Sequence, residues 1–123
     1  MTATDIVQLP YNYDLKIKQG ADRNLGISLE DANGVPQNLT GYTSKLTVRA
    51  HYGGPVLLEL TSSDDIAIGG ALGTVDVAFK HTKTAALAFE SAIYDWYIKS
   101  AAATPTYTYL LEGSFTVTPQ VAL

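Results

Sequence analysis

The sequence predicts an all-β fold, an antiparallel β-sandwich of about eight or nine short strands with one short crossover helix. Three observations predict it. Apolar and polar residues alternate with the two-residue period of a half-buried strand, most plainly in Ile93-Tyr94-Asp95-Trp96-Tyr97-Ile98-Lys99. Turn signals built on Gly, Asn and Pro recur every ~8–12 residues, the spacing of a sandwich. Only Thr82 to Ala88 reads as a helix, capped by Thr82 and too short to stand alone in water.

Taken in order, Met1 to Asn12 lacks periodicity and is interrupted by Pro10, so residues 1–12 are expected to form an extended N-terminal arm. Residues 13–123 are expected to form the sandwich domain. Tyr13, Leu15 and Ile17 alternate inward against Asp14, Lys16 and Lys18, and Gly20-Ala21-Asp22 turns the chain. Leu25, Ile27 and Leu29 repeat the pattern. Asp31-Ala32-Asn33-Gly34-Val35-Pro36 is the strongest turn signal. Asn33-Gly34 favours the left-handed angles of a tight hairpin, and Pro36 prevents the ladder from continuing.

Leu39 is expected to plug the sandwich end, and Thr40-Gly41 to redirect the chain into Thr43–Ala50, where Leu46 and Val48 face inward. Val56-Leu57-Leu58 is apolar on both faces, as in a strand deep in a sandwich or against a partner. Ile66 and Ile68, then Val75, Val77 and Phe79, supply two more strands. In the segment around the only tryptophan, Tyr94, Trp96 and Ile98 are the expected centre of the core, since large buried aromatics remove the most apolar surface from water. Tyr107 to Val117 reads as a partner hairpin beside it, in two pieces separated near Gly113. The outline is immunoglobulin-like.

At 123 residues the chain is one domain, able to bury roughly two-thirds of its unfolded surface. Charged residues make up 16%, against the usual ~25%, so Thr, Ser, Asn, Gln and Gly must cover much of the surface. That is common in β proteins and in subunits packed within an assembly. Net charge is −4, with Lys and Arg scattered singly, which argues against a nucleic-acid partner. The absence of cysteine excludes disulfides, thiolate metal sites and cysteine nucleophiles. The first residues hold no basic segment followed by an apolar run, so no signal peptide is expected. No apolar stretch approaches the ~20 residues of a membrane-spanning helix, and no membrane partner is expected. Asn38-Leu39-Thr40 fits the glycosylation pattern, which carries no weight without a secretion signal.

Convergent ionisable groups, the mark of catalysis, are missing from the pattern. His51 and His81 are isolated and lack the HExxH spacing of a metal pair. Asp64-Asp65 lacks calcium-loop spacing and reads as a solvated turn. Gly69-Gly70-Ala71-Leu72-Gly73 lacks the Lys-Ser/Thr of a phosphate loop, and no GxSxG occurs. No enzyme activity, cofactor or metal is expected. Eight tyrosines, with Tyr42, Tyr52, Tyr97 and Tyr107 the candidates for exposure, invite a carbohydrate-binding alternative. Tyrosine is equally favoured in strands and interfaces, and that use is preferred.

Three stretches, taken together, resemble a known family. They are Ile17-Lys18-Gln19-Gly20-Ala21-Asp22; Asn33-Gly34-Val35-Pro36 with Leu39-Thr40-Gly41-Tyr42 and the strand to Arg49; and Tyr94-Asp95-Trp96 with Leu111-Glu112-Gly113-Ser114-Phe115. In that order they resemble the small β-sandwich modules of tailed-phage structural proteins, among them long-tail-fibre connector or collar proteins and the N-terminal domains of baseplate upper proteins. The likeness runs from Tyr13 to Val121 and marks architecture. It implies a virion structural protein, made in the host bacterial cytoplasm, whose partners are other virion proteins and further copies of itself in a symmetric assembly. A connector or collar role at the baseplate or fibre attachment region is the first expectation. Capsid decoration or head-fibre anchoring is the alternative. Tyr11, Tyr13, His51, Tyr52 and Leu57 are the expected partner contacts.

Overall fold

Alternation becomes pairing in the computed structural model, which describes residues 2–3, 9–88 and 91–121. The strands are β1 (Thr2–Ala3), β2 (Tyr11–Asn12), β3 (Leu15–Lys18), β4 (Arg23–Leu29), β5 (Thr43–Arg49) and β6 (Val56–Thr61). After them come β7 (Ile66–Ile68), β8 (Thr74–Phe79), the single-turn helix α1 (His81–Thr84), β9 (Ser91–Lys99) and β10 (Tyr107–Thr118). One sheet has the order β1-β4-β8-β7; the other runs β2-β10-β9-β5-β6, with β3 also paired to β10. Most pairs are antiparallel, but β1 joins β4, and β2 and β3 join β10, in parallel. The result is an all-β sandwich.

The inner faces meet in one apolar core. Ile27, Leu29, Val75, Val77 and Phe79 come from the smaller sheet, and Leu46, Val48, Trp96, Ile98 and Phe115 from the larger. The Phe79 and Phe115 rings bridge the layers at 5.9 Å. Tyr94, Trp96 and Ile98 are all buried, and Leu39 is sealed in the same cluster from the loop between β4 and β5.

Trp96 also has a polar end to satisfy. Its indole N–H donates to Ser44 Oγ at 2.9 Å, and that hydroxyl donates to the Tyr97 carbonyl at 2.8 Å. Ser44 N–H donates to Ser62 Oγ at 3.1 Å, and Ser62 N–H returns to the Ser44 carbonyl at 3.0 Å. The buried polar groups thus complete one another across β9, β5 and the residue following β6.

Several expectations are corrected. The helix is one turn starting at His81, without a side-chain cap from Thr82. Asp22 takes that role, accepting from His81 N–H at 2.6 Å, while Thr84 Oγ1 donates to Ala21 carbonyl at 2.8 Å. The expected hairpin at Tyr107–Val117 is a single strand, and its hairpin partner is β9. Gly113 does not turn the chain: a Cβ there would lie 2.6 Å from the Tyr13 carbonyl, so glycine lets the β2–β3 segment approach. Regular pairing begins at Leu15, not Tyr13, because Tyr13 bridges β2 and β3 through its N–H to Glu112 carbonyl at 2.8 Å.

The doubly apolar run at Leu57 lies on β6, an edge strand rather than a deep one. A register shift there pairs Val48 with Leu58 and Arg49 with Val56, leaving Leu57 unopposed. At Asn33-Gly34 the left-handed angle falls on Gly34 alone, φ 79°. Asp31 holds the turn, its Oδ1 accepting from the Asn33 and Val35 amides at 2.9 and 3.0 Å. Glu30 and Pro36 form an isolated bridge beyond it. Gly41, φ 82°, makes the bend after Thr40, whose N–H and hydroxyl both bond Asn38 Oδ1. Of the expected arm, Met1 and residues 4–8 lie outside the described residues.

Two substitutions test this core. Trp96→Ala is expected to lower unfolding free energy by about 3–5 kcal/mol in urea denaturation; a loss under ~1 kcal/mol would mean the indole is not core. Ser44→Ala keeps the shape but strands the indole N–H, and a loss of about 1–3 kcal/mol is expected by the same measurement.

Candidate functional site

The outer face of the larger sheet gathers the side chains that alternation turns away from the core. Register sets them in rows. Lys45 of β5, Tyr97 of β9 and Tyr109 of β10 form one row. Thr47, Asp95 and Glu112 form the next, and β2 extends it with Asn12. Opposed residues on paired strands share a face, so these side chains converge. With Tyr52 and Gly53 from the β5–β6 turn they line a groove of about 650 Å³. That volume falls within the ~300–1,000 Å³ of small-molecule sites.

Aromatic rings form one side. Tyr97 stands between Tyr107 and Tyr109, with centroids at 5.2 and 5.4 Å and planes tilted 68° and 64°, the edge-to-face geometry that ring quadrupoles favour. Tyr107 and Tyr109 remain 50% and 41% exposed. The Lys99 ammonium sits 5.6 Å from the Tyr107 centroid.

Carboxylates lie beside the rings. Asp95 and Glu112 face each other across β9 and β10, and among the described residues neither side chain has an ion pair or hydrogen bond. Partial withdrawal from water, then the Glu112 charge, push the Asp95 carboxyl above its ordinary range, while Arg49 pulls it back in part. Arg49 Nη1 donates to Gly54 carbonyl at 2.8 Å, and Lys45 lies 3.7 Å from Glu59. Asp14, also lining the groove, accepts from Ser114 N–H at 3.1 Å, which holds its carboxyl below the usual range.

The expected contact residues divide. Tyr52 lines the groove and is 86% exposed. His51, in the same turn, covers Gly54, where a Cβ would lie 2.8 Å from its ring. Tyr11 and Tyr13 are half-buried against the core, and the Tyr13 carbonyl accepts from Tyr94 Oη at 2.5 Å. Leu57 lies on the β6 edge, away from the groove lining. Sequence reasoning missed Asp95, Glu112, Tyr109 and Arg49 as a set. Each is an ordinary outward residue, and only strand register shows that they meet.

Asp64-Asp65 also departs from its expected solvated turn. The Asp65 side chain is 1% exposed, 3.4 Å from Lys80 Nζ and hydrogen-bonded by Lys83 Nζ. Asp64 pairs with the same two lysines. Here the acids tie the β6–β7 loop to α1. Among the described residues no three His, Asp or Glu side chains converge as metal ligands do.

No protein-family model and no curated protein matches the sequence. Among solved structures, the N-terminal domain of phage TP901-1 ORF48 is similar to this chain, with a TM-score of 0.56 at 13% identity. The match covers 94% of this chain and 93% of that one. At that identity the likeness is one of fold.

The raised Asp95 carboxyl has a consequence for stability. An acid whose pKa rises on folding holds its proton more tightly folded than unfolded. It therefore stabilises at pH below its unfolded pKa and loses that contribution as pH rises through the folded one. Asp95→Asn is accordingly expected to raise stability at pH 7 and to lose the advantage below about pH 4. Urea midpoints at the two pH values check this. No gain at pH 7 would mean that Arg49 compensates the Asp95 charge fully.

Proposed function

We propose that this chain is a non-enzymatic structural subunit of a bacteriophage virion, of connector or collar type, at the tail baseplate or fibre attachment region. What supports it is the end-to-end fold likeness to an N-terminal domain of a phage protein, over 94% of this chain. Composition agrees, because a 16% charged fraction suits surfaces covered by protein neighbours, where charge is depleted at interface centres.

The joints are sheet edges. β6 presents a six-residue edge whose outer backbone groups are open to another chain, with Leu57 and the exposed Val56 beside them. Repeated head-to-tail contacts of this kind close into rings in a symmetric particle. Partners are therefore other virion proteins and further copies of the chain.

Cryo-electron microscopy of the intact particle tests the proposal. Density for this fold is expected in a ring at the distal tail, near the fibre roots. Density on the head surface would replace the tail placement with capsid decoration, and absence from the particle would overturn the structural role.

A further inference from the structure

We propose that the groove on the outer face of the larger sheet is a binding site for a neutral saccharide. The inference stands on the groove itself and does not depend on a place in the virion. Its lining mixes three kinds of group. Asp95 and Glu112 offer unused acceptor oxygens. Arg49 and Lys45 are donors on the opposite side of the same concavity. Tyr97 and Tyr109 bring rings with polar tips.

That mixture decides among ligand classes. A cation would meet Arg49 and Lys45, and an anion would meet Asp95, Glu112 and Asp14. An apolar ligand would strand carboxylates away from water without partners. A pyranose ring fits each group. Its hydroxyls both donate and accept, serving carboxylates and guanidinium together, and its C–H face lies against aromatic rings through weak C–H contacts.

The carboxylate pair strengthens the inference. Like charges directly opposed across a strand pair destabilise a sheet. Asp95 and Glu112 are so opposed; among the described residues neither side chain forms an ion pair, and Arg49 offsets the Asp95 charge only in part. Hydroxyl donors from a bound sugar would relieve that repulsion and take the place of water on these exposed carboxylates. Tyr52, 86% exposed on the turn at the groove's rim, is placed to close over a ligand lying on those carboxylates.

The test is a ¹⁵N-resolved NMR titration of the whole chain with three probes, maltohexaose, cellohexaose and chitohexaose. N-acetyl-lysine methylamide serves as a cationic comparison. Shift changes at the amides of Asp95, Tyr97, Tyr109 and Glu112 are expected with at least one hexasaccharide. Glu112→Gln and Tyr109→Ala are each expected to weaken that binding by about tenfold or more, as loss of a charged hydrogen bond or a ring contact does. Val35→Ala, in the Asp31–Pro36 turn, should leave binding unchanged. Both groove variants alter exposed side chains, and their dispersed spectra report folding independently. Unmoved groove amides with all three hexasaccharides would overturn the proposal. So would a groove response to the lysine derivative alone, or undiminished binding by both groove variants.

Discussion

The hydrogen bond from the Trp96 indole to Ser44 is the constraint on which the larger sheet depends. An indole buried without an acceptor would lose much of what its apolar surface gains. Ser44 supplies the acceptor from the neighbouring strand, diagonal to Trp96, and is itself satisfied by Tyr97 and Ser62. Sliding β5 by one residue against β9 would turn Ser44 outward and bring a different side chain beside the indole. Register between these strands is therefore fixed chemically as well as by apolar fit. The groove inherits that register, because Lys45, Thr47 and Arg49 alternate with Ser44, Leu46 and Val48.

Much of the fold was legible because a strand's period is a local property. Leu15 and Ile17, Leu46 and Val48, and Tyr94 to Ile98 announce their inner face without knowledge of any neighbour. Leu57-Leu58 misled for a local reason: the ladder shifts register there, so adjacent residues both face apolar surroundings and a bulge imitates a doubly buried strand. Asp65 misled for another reason. Its lysine partners lie 15 and 18 residues away, beyond β8, and no local pattern signals an acid that folding encloses.

The candidate site was less legible than the core. Of Tyr42, Tyr52, Tyr97 and Tyr107, read as candidates for exposure, only Tyr52 and Tyr97 line the groove, and what makes a groove around them is row partners on neighbouring strands. Asp95 and Glu112 are separated by 17 residues, and their opposition follows from the Tyr109/Leu111 bulge, which resets the register between them. Inward residues disclose themselves by hydrophobicity; outward ones have no comparable mark until pairing is known.

The parallel pairing of β3 with β10 also orders events in time. Ser114 reaches Asp14 across a separation of 100 residues, and β10 lies between β9 and the N-terminal strands. During synthesis, β3 therefore has no sheet partner until nearly the whole segment has left the ribosome. The β5–β9 pairing can form earlier, but its β9 edge stays open until β10 arrives. Closure by such distant contacts makes folding slow relative to a helical bundle of equal size. An incomplete chain emerging beside another would offer that open edge to its neighbour.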